Sequence, residues 1–241
     1  MIMNTRAVSK AVTTDFHSHC LPAMDDGARD VEVALEMLRR SAQQEVETVV
    51  ATPHFYWGED TVGSFLARRE TALAALRPRL TDELPRVLTG AEVLVREGIS
   101  RIDLRPLCLE GTDVLLVELP FMRSPYWLVE ELESVVYDQS LTLMLAHLDR
   151  YMPWYSAKSL EPLLELPDVI VQLNGESMTD RRSLHALKKW LPACSRLVLG
   201  SDMHDLRHRA PEWEQVTHVL SRDRVGREWM KAAEQTAQEI L

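Results

Sequence analysis

The sequence has few cysteines, no excess of positive charge and no long apolar run. The 241 residues include three cysteines, without a Cys-x-x-Cys pair, which is typical of a reducing compartment and predicts a cytoplasmic protein. Acidic residues (37) outnumber basic residues (27), for a net charge of −10, so we expect no nucleic-acid partner. No apolar run approaches the roughly 18 residues of a membrane span, and the N-terminus lacks the apolar core of a secretory signal, so we expect no membrane insertion.

Two classes of site are also missing from the sequence. No G-x-G-x-x-G or G-x-x-x-x-G-K-[ST] follows an apolar segment, so the usual nucleotide-binding signatures are absent. A cysteine-nucleophile phosphatase would need a C-x-x-x-x-x-R motif. The residues at that distance from Cys20, Cys108 and Cys194 are Asp26, Val114 and Gly200, which excludes this mechanism.

Short apolar segments rich in β-branched residues alternate with longer amphipathic segments. Val31, Leu35 and Leu38 recur at helical spacing, and Ser124-Pro125 predicts the start of another helix, with serine as N-cap. This β-then-α repeat has no linker and predicts a single-domain α/β fold, a closed or nearly closed barrel of parallel strands, with a doubly wound open sheet as the alternative. The predicted strands are 12–16, 46–51, 87–91, 114–119, 141–146, 169–173 and 196–199.

Histidine or acidic residues stand at or just after the ends of almost all these strands. Because the C-terminal ends of parallel barrel strands meet at one mouth, we expect these side chains to lie together. His17 and His19 are two residues apart, so they point the same way from a strand. The candidate metal ligands among these residues are His17, His19, His54, Glu92, Glu118, His147, Asp202 and His204.

Charge and donor type indicate several metal ions. With Asp26 added, the four candidate carboxylates carry about −4, whereas metal-bound histidines are neutral. One divalent ion would leave a negative site, but three would give about +2 and attract a phosphate dianion. Nine nitrogen and oxygen donors are too many for one tetrahedral zinc and favour manganese, iron or zinc over copper(I).

Seven motifs occur in an order that points to a known family. They are Asp15-Phe16-His17-Ser18-His19, Asp25-Asp26-Gly27, Thr52-Pro53-His54, Glu92, Val117-Glu118-Leu119-Pro120, Ala146-His147-Leu148-Asp149-Arg150-Tyr151 and Ser201-Asp202-Met203-His204. From about Thr14 to about Arg209, the chain resembles the polymerase-and-histidinol-phosphatase (PHP) superfamily. More narrowly, it resembles the bacterial manganese-dependent protein-tyrosine phosphatases of capsule and exopolysaccharide operons, the CpsB/CapC/YwqE type.

This resemblance implies a distorted (β/α)7 barrel over residues 12–241, with residues 1–11 as an N-terminal extension. It also implies three metal ions, most simply Mn²⁺, with iron or zinc as alternatives. The ligands carried over are His17, His19, Glu92 and Asp202 for the first ion, Glu92, Glu118 and His147 for the second, and Asp26, His54 and His204 around the third. Arg150 and Arg209 match the phosphate-binding arginines, with Arg207 as an alternative to Arg209.

The implied reaction is hydrolysis of phosphotyrosine by a metal-bridging hydroxide. The implied substrate is the tail of an autophosphorylating bacterial tyrosine kinase that controls polysaccharide synthesis; self-association into a homo-oligomer is left open. Other readings are a small-molecule phosphatase acting on, for example, histidinol phosphate, a non-catalytic scaffold that binds the kinase, and a metal-dependent nuclease or amidohydrolase. The net charge and the paired arginines disfavour the nuclease.

Two further expectations concern residues around the site. Asp15 either orients a histidine ring or is an ordinary strand-end acid. Two aromatic groups, expected on loops at the barrel mouth after His54 and after Arg150, either stack on a tyrosine ring of the substrate or pack within their loops. They are Phe55, Tyr56 and Trp57, and Tyr151, Trp154 and Tyr155.

Overall fold

A computed structural model describes residues 12–179, 181–191 and 196–241, so Cys194 and the predicted extension 1–11 lie outside the described residues. The strands are β1 Thr14–Ser18, β2 Thr48–Ala51, β3 His54–Tyr56, β4 Arg86–Thr89, β5 Glu92–Leu94, β6 Val114–Glu118, β7 Thr142–Leu145, β8 Ile170–Asn174 and β9 Leu197–Gly200. The helices are α1 Val31–Ala42, α2 Val62–Leu76, α3 Leu128–Gln139, α4 Ala157–Leu164, α5 Arg181–Trp190, α6 Trp213–Ser221 and α7 Arg224–Ile240.

The strands form a closed parallel barrel of seven segments. The ladders run β1-β2-β4 and β3-β5-β6-β7-β8-β9. Only Thr52-Pro53 separates β2 from β3, and only Gly90-Ala91 separates β4 from β5, so each pair is one interrupted segment. The ring closes where β1 meets the chain after β9, since the Asp202 N–H donates to the His17 carbonyl at 2.7 Å. The barrel prediction is confirmed, and the open-sheet alternative is wrong.

Helices cover most of the strand connections. Helix α1 is N-capped by Asp30, which accepts from the Val33 N–H at 2.9 Å, and it buries the predicted Leu35 and Leu38. Between β5 and β6, where every residue is described, two 3-10 turns replace an α-helix. No helix in the described ranges is long and apolar enough to cross a membrane.

The predicted helix start at Ser124-Pro125 is wrong. Helix α3 begins at Leu128, and Pro125 instead belongs to a turn in which its carbonyl accepts from the Leu128 N–H at 3.2 Å. Burial of Leu128 and Leu132 against the core fixes where the helical face begins, and this outweighs the local capping preference.

The apolar core has two parts. The larger lies between strands and helices, and the smaller fills the barrel near the strand starts, where Ala237 and Ile240 of α7 pack against it. The smaller part is called the inner apolar cluster below. It consists of Phe16, Val50, Leu88, Leu109, Val114, Leu116, Met144, Ala146, Ile170 and Val198. The barrel is therefore a packed core rather than a pore, and polar side chains gather at its other end.

Candidate metal centre

All nine predicted ligands lie in one continuous cluster at the barrel mouth. His54 and Glu92, which were expected just after strands, are instead the first residues of the short strands β3 and β5. Their donor atoms form four groups, and within each group the atoms lie within 4.8 Å of one another. Shared members join the groups into one cluster. The groups are His19, Asp26, His54 and His204; His17, His19 and Asp202; His17, Glu92 and His147; and His54, Glu92 and Glu118.

Glu92, the first residue of β5, lies at the centre of this cluster and is 1% exposed. Its Oε1 is 2.7 Å from His147 Nε2. Its Oε2 is 3.3 Å from His17 Nε2, 3.4 Å from His19 Nε2 and 2.9 Å from His54 Nδ1. One carboxylate therefore reaches four imidazoles, an arrangement that suits a ligand bridging two cations.

His17 and His19 turn the same ring nitrogen toward the centre. Their Nε2 atoms are 3.2 Å apart, and each is 3.5 Å from Asp202 Oδ1. On the outer side, His17 Nδ1 is 3.0 Å from Gln172 Oε1, and His19 Nδ1 is 2.7 Å from Asp25 Oδ2. Acceptors on Nδ1 make it the protonated nitrogen, so the Nε2 lone pairs are free to bind a cation.

Gln172 fixes the tautomer of His17, with the proton on Nδ1, from inside the barrel. The backbone N–H of His147 donates to Gln172 Oε1 at 2.6 Å, so the atom facing His17 must be the amide oxygen. The Gln172 amide group then donates to Asn174 Oδ1, and Asn174 Nδ2 donates to Asp202 Oδ2, each at 3.0 Å. This chain of amides holds three of the predicted ligands. The sequence signal for Gln172 is a polar residue inside an otherwise apolar strand.

Two of the predicted ligands lie on left-handed backbone. His147 has φ 30° and Asp202 has φ 54°. Such a conformation costs a non-glycine residue on the order of 1–3 kcal/mol and persists only where neighbours hold it. Hydrogen bonds from the two backbone N–H groups, to Gln172 and to the His17 carbonyl, supply that restraint.

The outer part of the cluster is formed by Asp26, His54 and His204. Asp26 Oδ1 is 3.4 Å from His204 Nε2 and 3.6 Å from His54 Nε2, and the Asp26 side chain is 70% exposed. Gly27 packs so closely that an added Cβ would lie 2.1 Å from the His19 carbonyl oxygen. The Asp-Asp-Gly turn therefore needs glycine in order to bring both acids beside the histidines.

Several buried polar atoms of the cluster have no hydrogen-bond partner. They are His54 Nδ1, Glu92 Oε2, His147 Nδ1 and His204 Nε2. The first two lie 2.9 Å apart but lack hydrogen-bond geometry. Unpaired buried donors and acceptors are rare in folded proteins and call for an explanation. Imidazole and carboxylate donors with free lone pairs fit manganese, iron or zinc.

The charges of the cluster shift its pKa values in opposite directions. Burial opposes the charged form of His19, but contacts with Asp202 and Asp25 outweigh it and raise the pKa of His19 well above its ordinary value. Burial also opposes the charge of Asp202, but His17 and His19 hold the pKa of Asp202 well below its usual range. Burial and the charge of Glu92 raise the pKa of Glu118. Without cations, protons thus balance the buried carboxylates.

Two arginines lie at the rim of the cluster. Arg150 Nη1 is 3.1 Å from Asp202 Oδ2, and Arg209 Nη2 contacts the same oxygen. Both side chains remain partly exposed. Arg207 is exposed, and its backbone N–H is bonded to Asp205. The structure therefore places Arg150 and Arg209, rather than Arg207, where planar guanidinium groups could bind an oxyanion.

Asp15 does not orient a histidine ring. Its carboxylate accepts from the Ser201 N–H at 2.8 Å, from the Ser201 hydroxyl at 2.6 Å and from the His17 N–H at 3.2 Å. Burial raises the pKa of Asp15 to about 6. Asp15 ties β1 to the segment after β9, and ring orientation falls to Gln172 and Asp25.

Three of the six predicted aromatic residues belong to the core. Phe55, Tyr151 and Tyr155 are at most 2% exposed, and the Tyr151 hydroxyl accepts from the Leu119 N–H at 2.8 Å. The packing alternative is therefore correct for these three. Trp57 is partly buried and Trp154 is 46% exposed.

Two other aromatic rings lie against histidines of the cluster. Tyr56 stacks on His54, with centroids 5.2 Å apart and planes at 19°. Phe121, which the sequence reasoning missed, stacks on His147 at 5.9 Å and 23°. Phe121 follows Leu119-Pro120 just beyond the end of β6, and that position at the barrel mouth was the available signal.

Comparisons with known proteins identify relatives of this chain. The chain is 28% identical over 224 residues to the tyrosine-protein phosphatase YwqE of Bacillus subtilis, covering 87% of this chain and 84% of the relative. It is 24% identical over 225 residues to the tyrosine-protein phosphatase CpsB of Streptococcus pneumoniae, covering 86% of this chain and 89% of the relative.

Solved structures share the fold. A crystal structure from work on YwqE of Bacillus subtilis and CpsB of Streptococcus pneumoniae, described as unique metal-dependent tyrosine phosphatases, superposes with a TM-score of 0.70 at 22% identity over 95% of both chains. A TatD-family hydrolase from Entamoeba histolytica superposes at 0.55 with 10% identity, over 95% of this chain and 97% of that chain.

A family model for capsular polysaccharide synthesis proteins, CpsB/CapC, matches residues 13–241. This match spans all nine strands and the whole polar cluster. It confirms the resemblance drawn from the seven motifs. The chain therefore belongs to the CpsB/CapC family.

Proposed function

We propose that this chain is a metal-dependent protein-tyrosine phosphatase. The observation that carries the proposal is the meeting of nine metal-type donors and two arginines at one barrel mouth. The relatives from Bacillus subtilis and Streptococcus pneumoniae, both named tyrosine-protein phosphatases, support it. A cluster that can bind cations and a phosphate dianion together suits hydrolysis of a phosphate monoester.

We assign three divalent ions, most simply Mn²⁺, to the nine donors, which would hold them together at the barrel mouth. When bound, such ions neutralise the carboxylates and lower the pKa of a coordinated water toward neutrality. The ligands we assign are His17, His19, Glu92 and Asp202 for the first ion, Glu92, Glu118 and His147 for the second, and Asp26, His54 and His204 for the third. Close contacts around Glu92 support its assignment to two ions.

Arg150 and Arg209 are assigned to the phosphate group. Asp202 faces His17 and His19 with Oδ1 and the two arginines with Oδ2, so one carboxylate anchors both guanidinium groups at the rim. A guanidinium carries five N–H donors, and this contact leaves most of them available. The two forks can therefore hold and orient the phosphate oxygens for in-line attack by water.

We further assign the substrate to the tyrosine-rich tail of a bacterial tyrosine kinase that controls capsule or exopolysaccharide synthesis. Membership of a capsular polysaccharide synthesis family supports this assignment. Such a kinase uses cytoplasmic ATP, and we place the phosphatase in the same compartment. Cys20 and Cys108 are buried free thiols, which suits a reducing environment.

The test is phosphate release from a phosphotyrosine peptide and from histidinol phosphate, before and after chelation and with Mn²⁺ restored. We expect turnover of the peptide that chelation abolishes and Mn²⁺ restores. Two alanine variants in one loop test which arginine binds phosphate. Arg209→Ala should lower kcat/KM at least about tenfold, and Arg207→Ala should not. Preference for histidinol phosphate, or no turnover by Mn²⁺-loaded protein, would contradict the proposal.

A further inference from the structure

Phe121 lies between the metal-type cluster and the solvent. Its ring stacks on His147, which is 1% exposed and reaches Glu92 through Nε2 at 2.7 Å. Yet Phe121 itself remains 39% exposed. Ligand pockets combine aromatic side chains with a few polar groups, so a partly exposed ring at the mouth of this polar site is a candidate for contact with a ligand.

The neighbours of Phe121 hold its ring in place. The Arg150 guanidinium carbon is 5.3 Å from the ring centroid, within the range of a cation–π contact. The Tyr151 ring lies 5.0 Å away, tilted by 33°. Since Tyr151 is buried in the core, Phe121 rests on a fixed support beside a rim arginine.

We infer that Phe121 determines specificity for aryl phosphates by packing against the ring of the phosphotyrosine substrate. This inference rests on the proposed function and on Arg150 as a phosphate-binding residue. In phosphotyrosine one oxygen atom joins phosphate to ring, so a phosphate held by Arg150 brings the aryl ring next to Phe121. An alkyl phosphate offers no ring to that surface.

Other aromatic side chains nearby suit this role less well. Tyr126, in the same loop, is 90% exposed and therefore has no fixed support comparable to that of Phe121. Tyr56 stacks on His54 at the part of the cluster near Asp26, and the guanidinium over its ring belongs to Arg96, not to a rim arginine. Tyr126→Ala is thus a matched control, and Tyr56→Ala tests the competing surface.

The test measures binding of phenylphosphonate and methylphosphonate to Mn²⁺-loaded protein by calorimetry. The proteins compared are the wild type, Phe121→Ala, Phe121→Tyr, Tyr126→Ala and Tyr56→Ala. Because loss of an aromatic pair weakens binding, we expect Phe121→Ala to weaken phenylphosphonate binding about fivefold and methylphosphonate binding less than about twofold. Phe121→Tyr and Tyr126→Ala should keep the wild-type ratio. Phe121→Leu, which preserves apolar volume, gives the same readout if the alanine variant loses metal or unfolds.

Equal weakening of both phosphonates would overturn the inference, because Phe121 would then act only by supporting Arg150 or His147. The inference would also be overturned if Tyr56→Ala, and not Phe121→Ala, lost the preference for phenylphosphonate over methylphosphonate. A wild type that binds both phosphonates equally well would overturn it too. Failure of the wild type to cleave phosphotyrosine peptide contradicts the proposed function instead. The binding ratio and the turnover are separate measurements, so the two failures can be distinguished.

Discussion

The lower half of the barrel, which holds the inner apolar cluster, and the upper half, which holds the candidate metal ligands at the mouth, differ in polarity although the same strands form both. Side chains two residues apart on a strand face the same side. Along β6, Leu116 of the inner apolar cluster is followed by Glu118; along β8, Ile170 is followed by Gln172. Within one residue pair, the side chains change from apolar packing to the polar network of the mouth.

This difference separates stability from chemistry. Fully burying an aliphatic side chain contributes about 1.5–3 kcal/mol, so the inner apolar cluster stabilises the barrel. Burying carboxylates and imidazoles without cations opposes folding, since each charge loses hydration. Apolar burial in the lower half therefore offsets the unfavourable burial of charged groups in the upper half. Substitutions in the lower half should reduce stability, and substitutions in the upper half should reduce metal binding and activity.

The largest expected effect is on activity, from Glu92→Gln. Replacing the carboxylate that reaches four imidazoles should lower phosphatase kcat/KM more than about 100-fold, beyond the 10–100-fold range for outer partners of a metal site. Metal content, measured by mass spectrometry of purified protein, should fall with it. Glu97→Gln, at an exposed position nearby, is the control. If Glu92→Gln kept the metal content of the wild type, Glu92 would not be a metal ligand and the assignment of metal binding to the upper half would fail.

The matching change in the lower half is Met144→Ala. Met144 is fully buried in the inner apolar cluster, so its truncation should lower the free energy of unfolding by about 2–5 kcal/mol. Urea titration measures that loss. Metal content and kcat of the folded protein should stay close to wild type, and a catalytic loss as large as that of Glu92→Gln would show that the two halves are not separable.

A smaller effect is expected where the halves meet. Gln172→Ala leaves His17 Nδ1 and the His147 N–H without their acceptor, so Mn²⁺ affinity should fall about 10–100-fold. Competition with a chelator of known affinity measures the change. Gln238→Ala, on the exposed side of α7, should leave the affinity unchanged. Equal affinities for both variants would remove the role assigned to the amide chain.

The smallest effect is a pH dependence confined to the upper half. The pKa of His19 is raised well above 6.5 in the cation-free protein, so the stability from its protonation is present below 6.5 and is lost as pH rises through the folded value. The pKa of Asp202 is lowered, so its contribution is lost as pH falls below about 4. Chelated protein should thus unfold more easily at pH 9 than at pH 6.5.

Bound Mn²⁺ should reverse this alkaline trend, because cations displace the histidine protons and bind more tightly as pH rises. Thermal melts of chelated and Mn²⁺-loaded protein at the two pH values measure it. Parallel pH trends with and without Mn²⁺ would contradict the assignment of His19 as a ligand.

Strand ends were the informative part of the sequence. Seven apolar segments and the residues that follow them predicted both a seven-segment barrel and the convergence of side chains as distant as His17 and Asp202. The short strands β3 and β5, which continue two of those segments beyond a break, were missed. Pro53 lacks an N–H and interrupts the first of them. At Ser124-Pro125 the local signal for a helix start was present but was not decisive, because burial rather than capping sets the start of α3.

The surroundings of the ligands could not be predicted from local pattern. Gln172 meets His17 across 155 positions of the chain, a contact that depends on how β8 and β1 face each other inside the closed barrel. The support of Phe121 on His147 and Tyr151 likewise depends on the course of a loop. Spacing along a chain gives donor types, whereas the partners that orient them arise only from packing.

Anomalous diffraction from crystals grown with Mn²⁺, recorded on both sides of the manganese absorption edge, tests the metal assignment most directly. We expect three peaks among the nine donors at the barrel mouth, with Glu92 between two of them. Crystals saturated with Mn²⁺ that show no peak there, or ions only at other surfaces, would contradict it.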